Sequence, residues 1–205
     1  MADWDARFAQ DGYVFGSAPA GFVARQAWRI APGRRVLSVA EGEGRNAVFL
    51  AEQGARVTAF DGSGTGLAKA RRLAAERGVS LDLHHADIAD WDWDGEGQGA
   101  PFDAVLGVFF QFAAPPLRAQ VFAGMARALK PGGLLLLHGY APRQVGYGTG
   151  GPGQAANLWT LDLLREAFAG FEILNEADYD ADLAEGSGHR GRSGLIDFVA
   201  RKAGA

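Results

Sequence analysis

The segment AEGEGRNA, residues 40–47, sets Gly42, Gly44 and Ala47 in the pattern G-x-G-x-x-A. Glycines at such a bend adopt backbone angles that other residues avoid, and they let a ligand approach the main chain. An apolar run, VLSVA (36–40), precedes the bend, and a helical stretch from Arg45 to Glu52 follows it. That is the strand–turn–helix setting in which a nucleotide is held. Asp61 closes the next apolar run, ARVTAFD, with Gly62 and Ser63 directly after it. An ionised carboxylate there can accept from both hydroxyls of a ribose. Asp87 ends the third run in HHADIAD, where it can accept from an adenine amino group while Ile88 covers the ring. Gly107, Val108 and Phe109 end the fourth run, beside the crevice where open α/β sheets bind ligands.

Charge selects among nucleotides. Glu41 and Glu43 both sit in the bend. At close range in a partly dry pocket, each would repel a pyrophosphate by on the order of several kcal/mol. Arg45 could offset one of them. A cationic ligand without phosphate fits such a bend better than a dinucleotide, and S-adenosylmethionine, with its sulfonium and α-ammonium, is one. Two alternatives stay open. One is an NAD(P)-binding oxidoreductase, favoured by G-x-G-x-x-A and Asp61 but opposed by the two glutamates and by the lack of a Tyr-x-x-x-Lys pattern. The other is a protein that binds S-adenosylmethionine or S-adenosylhomocysteine without turnover.

An oxygen or nitrogen acceptor can need a base within about 3 Å, whereas a soft sulfur, selenium or tellurium acceptor needs none. The candidates are Tyr13 near the N-terminus, His138 and Tyr140 after the run of four leucines, and His189 in GSGHRGRSG. His138 reads equally well as a histidine facing a helix, and His189 as a solvated turn residue. His84 and His85 alternate along one strand and cannot both face one side, so no metal site is expected. The loop YGTGGPG (147–153) could wall the acceptor site, with Arg143, Arg190 and Arg192 near the same end.

The elements that position these residues read as short apolar runs alternating with helical patterns. Strands are expected at 36–40, 55–61, 80–87, 102–110 and 134–140. Helices are expected at 21–30, 45–52, 66–77, 115–130 and 160–168, with Thr160 capping the last. Residues 141–156 read as an irregular loop, and 86–99 as a surface turn with two half-buried indoles. The βαβ alternation predicts a parallel sheet covered on both faces. FEILNEADYD and SGLIDFVARK have no helix between them and should pair as an antiparallel hairpin. One domain is expected over 1–205, with a cap and helix in 1–32, a cofactor half in 33–140 and a substrate half in 141–205.

The chain has 205 residues and no cysteine, which excludes disulfides, thiolate metal sites and cysteine nucleophiles. Its net charge of −4 argues against a nucleic-acid partner, and no apolar stretch approaches the roughly 18 residues of a membrane span. With no secretory signal visible, a cytoplasmic monomer or homodimer acting on a small molecule is expected.

VLSVAEGEGRNAVFLAEQGARVTAFDGS resembles the first two motifs of class I S-adenosylmethionine-dependent methyltransferases. The subgroup it is most similar to is that of bacterial tellurite-resistance and thiopurine-methyltransferase-like enzymes. ADI, FDAVLGVFFQF, LKPGGLLLLHGY and WDARFAQDGYVFGSAPAGF carry the same resemblance. It implies a Rossmann-like, doubly wound α/β sheet of seven strands, mostly parallel, with the last strand inserted antiparallel between the fifth and sixth. It implies donor contacts from Ala40, Glu41, Gly42, Glu43 and Gly44, from Asp61, from Asp87 and Ile88, and from Gly107 to Phe109. Asn46 would order the turn, while Tyr13, Phe15 and Gly16 would close over the donor. Many members carry an acidic residue in the first strand where this chain has Ser38, and Glu41 or Glu43 is expected to replace it.

Overall fold

Val, Leu and Phe dominate the short runs that form the sheet, as suits strands buried on both faces. In a computed structural model that describes residues 3–95 and 101–204, these runs become seven strands. They are β1 (Arg35–Val39), β2 (Arg56–Asp61), β3 (Asp82–His85), β4 (Phe102–Val108), β5 (Leu129–Tyr140), β6 (Glu172–Glu185) and β7 (His189–Arg201). The sheet order is β3-β2-β1-β4-β5-β7-β6. β1 to β5 are parallel, and β7 lies antiparallel between β5 and β6, as the resemblance implied. The order reverses between β1 and β4, and at such a switch the loops leaving the strands part and open a crevice.

Helices α1 (Trp4–Phe8), α2 (Gly21–Gln26), α3 (Arg45–Glu52), α4 (Gly64–Glu76), α5 (Pro115–Ala128), α6 (Gln144–Tyr147) and α7 (Leu161–Ala167) complete the fold. Alternation along the strands divides the core. Val36, Val57, Ala59, Ala104 and Leu106 face α2 and α3, together with Phe22 and Leu50. Leu37, Val39, Phe60, Val105 and Leu137 face α5 and α7, with Phe122, Met125 and Leu164. Thr160 accepts from Leu163 N and starts α7 where expected.

Four expectations change. The helix expected over 21–30 ends at Gln26 and tightens into a 3₁₀ turn, Ala27–Arg29, after which Ile30 is extended. The strand expected over 80–87 pairs with β2 only over Asp82–His85. The loop 141–156 contains α6 and a second 3₁₀ turn, Ala155–Asn157. Trp91 and Trp93 are buried, not half-exposed. Trp91 stacks on Phe60 at 4.0 Å, and Trp93 fills the space that Gly124 of α5 leaves open. The remainder of that segment, 96–99, lies outside the described residues.

Candidate active site

The bend after β1 is shaped by Glu41. Its Oε1 accepts from Asn46 N at 2.9 Å and Ala47 N at 2.8 Å, and its other oxygen is held by the Ser38 hydroxyl. The first amides of α3 therefore point at a carboxylate that belongs to the chain. A helix N-terminus offers free amides and a partial positive charge to anions; here Glu41 already takes two of those amides. Burial raises the Glu41 pKa, and the hydrogen bonds from Ser38, Ala47 and Asn46 act against that rise. Ser38, at the position where many members of the resembled family carry an acid, donates its hydroxyl to Glu41.

The two glycines of the bend do different things. Gly42 has φ +65°, and a Cβ there would lie 3.1 Å from the Phe8 ring. Gly44 has φ +91°, and its Cβ would meet the Ala70 Cβ at 2.6 Å, so its function is to let α3 pack on α4. Among the described residues, two that are not glycine also have positive φ: Ala40, at 50°, follows β1, and Phe109, at 55°, follows β4. Both flank the crevice, and such strain is held where the surrounding structure fixes it.

A cavity of about 740 Å³ opens at these strand ends, within the range of ligand sites. Of the residues singled out in the sequence, Phe15, Ala40, Glu41, Gly42, Asn46, Asp61, Gly62, Asp87, Ile88, Val108, Phe109, Tyr140 and His189 line it. Asp61 is 8% exposed. Its Oδ2 accepts from Gly42 N and its Oδ1 from Ser63 N, each at 2.8 Å, and each oxygen keeps capacity for another donor. Burial raises the Asp61 pKa against those two amides. Asp87 is exposed at the rim, where its Oδ1 accepts from Ala89 N. One oxygen thus has the turn-capping role that such a residue often plays.

Seven expected site residues lie outside the lining. Glu43 turns the other way: it is 3% exposed, pairs with Lys69 Nζ at 2.9 Å and accepts from Val14 N at 2.8 Å. It is a clamp for the strap before α2, and its charge is neutralised there. Only Glu41 of the two bend glutamates faces the cavity. Gly44 packs on α4 as above. Ser63 caps α4 through Gly66 N, while its hydroxyl donates to Asp5 at 2.6 Å, tying α1 down. Gly16 rests against the β6–β7 turn near Gly186, and Tyr13 lies under Lys69 and Arg72. Gly107 leaves room for the Phe110 ring, which its Cβ would meet at 2.4 Å. His138 is sealed from the cavity. Its Nδ1 lies 2.6 Å from Asp197 Oδ1, and its ring stacks on Phe22 of α2 at 5.0 Å. Tyr140 shares that face of β5 but lies two residues farther out, among the residues of the cavity wall.

Other wall residues were not foreseen. Trp4, Arg7 and Phe8 enter from α1, which Asp5 pins through Ser63 Oγ and Thr65 N. Phe112, Gln154 and Asn157 line it as well, together with Gly150 and Gly151 of the loop 147–153 that the sequence offered as an acceptor wall. Arg45 is 6% exposed and reaches Glu185 at 2.8 Å, bonding also to Phe15 O. This pair joins the bend after β1 to the end of β6. Asn46 accepts from Ala20 N, so its side chain ties the strap to the turn. The only signal of Arg45 as a wall residue was its place in the motif; its partner lies 140 positions away.

Residues 36–133 match the model of a methyltransferase domain. A ubiquinone biosynthesis O-methyltransferase of Xylella fastidiosa (strain 9a5c) is 38% identical over 105 residues; the match spans 51% of this chain and 41% of that enzyme's length. Among solved structures, one described as "Conversion of a Disulfide Bond into a Thioacetal Group during Echinomycin Biosynthesis" superposes with a TM-score of 0.75 at 22% identity. It covers 98% of this chain and 91% of its own. The N-methyltransferase NodS of Bradyrhizobium japonicum WM9, in complex with S-adenosyl-L-homocysteine, has a TM-score of 0.74 at 13% identity, covering 98% and 96%. Residues 36–133, just under half of the chain, thus match a methyltransferase domain, and the chain as a whole shares its fold with these solved structures.

Proposed function

We propose that the protein transfers a methyl group from S-adenosylmethionine to a small molecule. The observation that carries this reading is Glu41 seated on the first amides of α3. The place where a dinucleotide would put its pyrophosphate is filled by a carboxylate, which suits a cationic nucleoside instead. Asp61 would take the ribose hydroxyls, Asp87 and Ile88 the adenine, and Glu41 the ammonium end. Glu43, paired with Lys69, takes no part in this.

Bound S-adenosylmethionine supplies a methyl group on a positively charged sulfur that needs no further activation. The chain contributes orientation and exclusion of water. Ala40 and Phe109 fix the two strand ends, and α1 with the strap 12–18 covers the crevice. The reading includes one domain over 1–205, a cytoplasmic site of action, a monomer or homodimer, and no nucleic-acid partner. No helix of the described residues is long and apolar enough to cross a membrane.

The test is to supply methyl-labelled S-adenosylmethionine with fractions of a small-molecule extract and follow the label. Transfer to an organic acceptor with release of S-adenosylhomocysteine supports the reading. Tight donor binding with no transfer in any fraction would move the protein to the non-catalytic alternative.

A further inference from the structure

We propose that a second cavity, at the end of the sheet opposite the crevice, binds a small phosphate-bearing anion. The parallel strands β1 and β4 begin at that end, and β7, which runs the other way, finishes there beside Leu134 of β5. The cavity measures about 370 Å³, within the range of ligand sites. Arg29, Arg34, Lys130 and Arg201 line it. Among the described residues Asp103 is the single carboxylate of the wall, and the rest is apolar or glycine. A chain with a net charge of −4 thus gathers four cations around one acid. The two ends of the sheet differ in sign, since the crevice presents Glu41, Asp61 and Asp87.

Asp103 does not neutralise this group of cations. Its Oδ1 accepts from both Arg34, at 3.2 Å, and Lys130, at 3.1 Å, while its Oδ2 accepts from Arg35 N at 2.8 Å. One oxygen therefore holds two cationic heads together, and the other is spent on the start of β1. Arg201 pairs with Glu172 at 3.0 Å, but the two side chains are 47% and 62% exposed. Ion pairs so open to water contribute little, which leaves Arg201 able to turn to a stronger acceptor.

Arg29 is set in place without an acid. Its Nε donates to Gln26 Oε1 at 2.8 Å, and its guanidinium lies over the Trp28 ring at 4.5 Å. These contacts fix the plane of the group, and its two terminal nitrogens have no partner among the described residues. A guanidinium held in this way can donate to two phosphate oxygens side by side. The remaining cations approach from other elements, Arg34 before β1, Lys130 from β5 and Arg201 from β7, and so suit an anion with several oxygens and more than one charge. The site does not depend on the methyl-transfer reading.

The experiment titrates inorganic pyrophosphate into the whole chain by calorimetry, with ionic strength held at about 0.15 M so that general screening is constant. Wild type should bind with a Kd of about 1 mM or tighter. Arg29→Gln should weaken binding at least about fivefold, since a charge-assisted pair of hydrogen bonds is lost. Arg201→Gln, on a separate strand, should do the same, and it repeats the test should Arg29→Gln disturb its own turn. Arg165→Gln removes a surface cation paired with Asp162 and Glu176 outside the cavity and should change the affinity less than about twofold. No binding of pyrophosphate up to about 10 mM overturns the site. Losses below about fivefold in the folded cavity variants, or an equal loss in Arg165→Gln, overturn it too, because the anion would then lie elsewhere or respond only to overall charge.

Discussion

Replacing Glu41 separates its two functions, holding a helix end and presenting a charge. Glu41→Ala removes the acceptor for two buried amides, Asn46 N and Ala47 N, and for the Ser38 hydroxyl. A lost cap costs about 0.5–2 kcal/mol, and a buried donor left unpaired about 1–3. Water can reach the bend through the cavity, so the lower part of the combined range applies, about 3 kcal/mol. In a chain of this length that lowers Tm by roughly 6–12 °C. Glu41→Gln keeps an oxygen for the two amides and a polar group beside Ser38. Burial raises the Glu41 pKa, so the charged form is disfavoured in the folded state. Stability from this group is present below the unfolded carboxyl pKa and is lost as pH rises through the raised folded value. A neutral glutamine has no such loss, so its Tm at pH 7 should stay within about 3 °C of wild type. Its affinity for S-adenosylmethionine should still fall about tenfold, because the charge facing the donor has gone. Differential scanning fluorimetry and titration calorimetry on the same samples read both numbers. If Glu41→Gln binds the donor as tightly as wild type, or Glu41→Ala is as stable as Glu41→Gln, the dual role of Glu41 is refuted.

Other outcomes follow from single contacts. Asp61→Ala should weaken S-adenosylmethionine binding by about 100-fold in calorimetry, since ribose hydroxyls lose a charged acceptor; a change under threefold would remove Asp61 from the site. Gly44→Ala forces a Cβ to 2.6 Å from Ala70 at φ +91° and should cost at least about 2 kcal/mol in urea unfolding; wild-type stability would contradict the close α3–α4 approach. His189 has its pKa lowered to about 4 by burial. Its contribution to stability is therefore complete above about pH 6.5 and lost as pH falls toward 4, on the order of 3 kcal/mol. His189→Gln should flatten that part of the pH–stability curve; an unaltered curve would show that His189 titrates freely. Gly186→Ala would place a Cβ 2.3 Å from Val14 O and should loosen the strap, seen as faster proteolysis near residues 12–18.

The frame of this fold could be read from the chain because its signals are local. Apolar runs of four to seven residues, Pro115 and Pro116 at the start of α5, and Thr160 before α7 each announce an element within a few positions. The site was legible where strand ends determine it: Ala40, Asp61 and Phe109 fall at the crevice because β1, β2 and β4 end there. It was not legible where one residue's rotation or a distant partner decides. Glu41 and Glu43 look equivalent in EGEG, yet a turn of two residues sends one into the cavity and the other to Lys69 of α4. His138 and Tyr140 share a face of β5, but His138 is covered by Phe22 of α2, Phe109 and Asp197, all distant in sequence. Trp91 and Trp93 read as surface because aspartates surround them. Their burial depends on Phe60 and Gly124, about 30 positions away on either side. α1 is five residues long, too short for periodicity to reveal, and its Asp5 is held by partners some 60 positions away, Ser63 and Thr65.

The central claim is that the bend after β1, with a carboxylate on the helix end, prefers a cationic thioether nucleoside to a diphosphate. Calorimetric titration of the wild-type chain with S-adenosylmethionine, S-adenosylhomocysteine and NADH tests it directly. S-adenosylmethionine, a sulfonium, and S-adenosylhomocysteine, its thioether product, should bind with a Kd of about 1 μM or tighter, about 8 kcal/mol or more in free energy, and NADH should bind at least about 100-fold more weakly. NADH binding as tight as S-adenosylmethionine would contradict it.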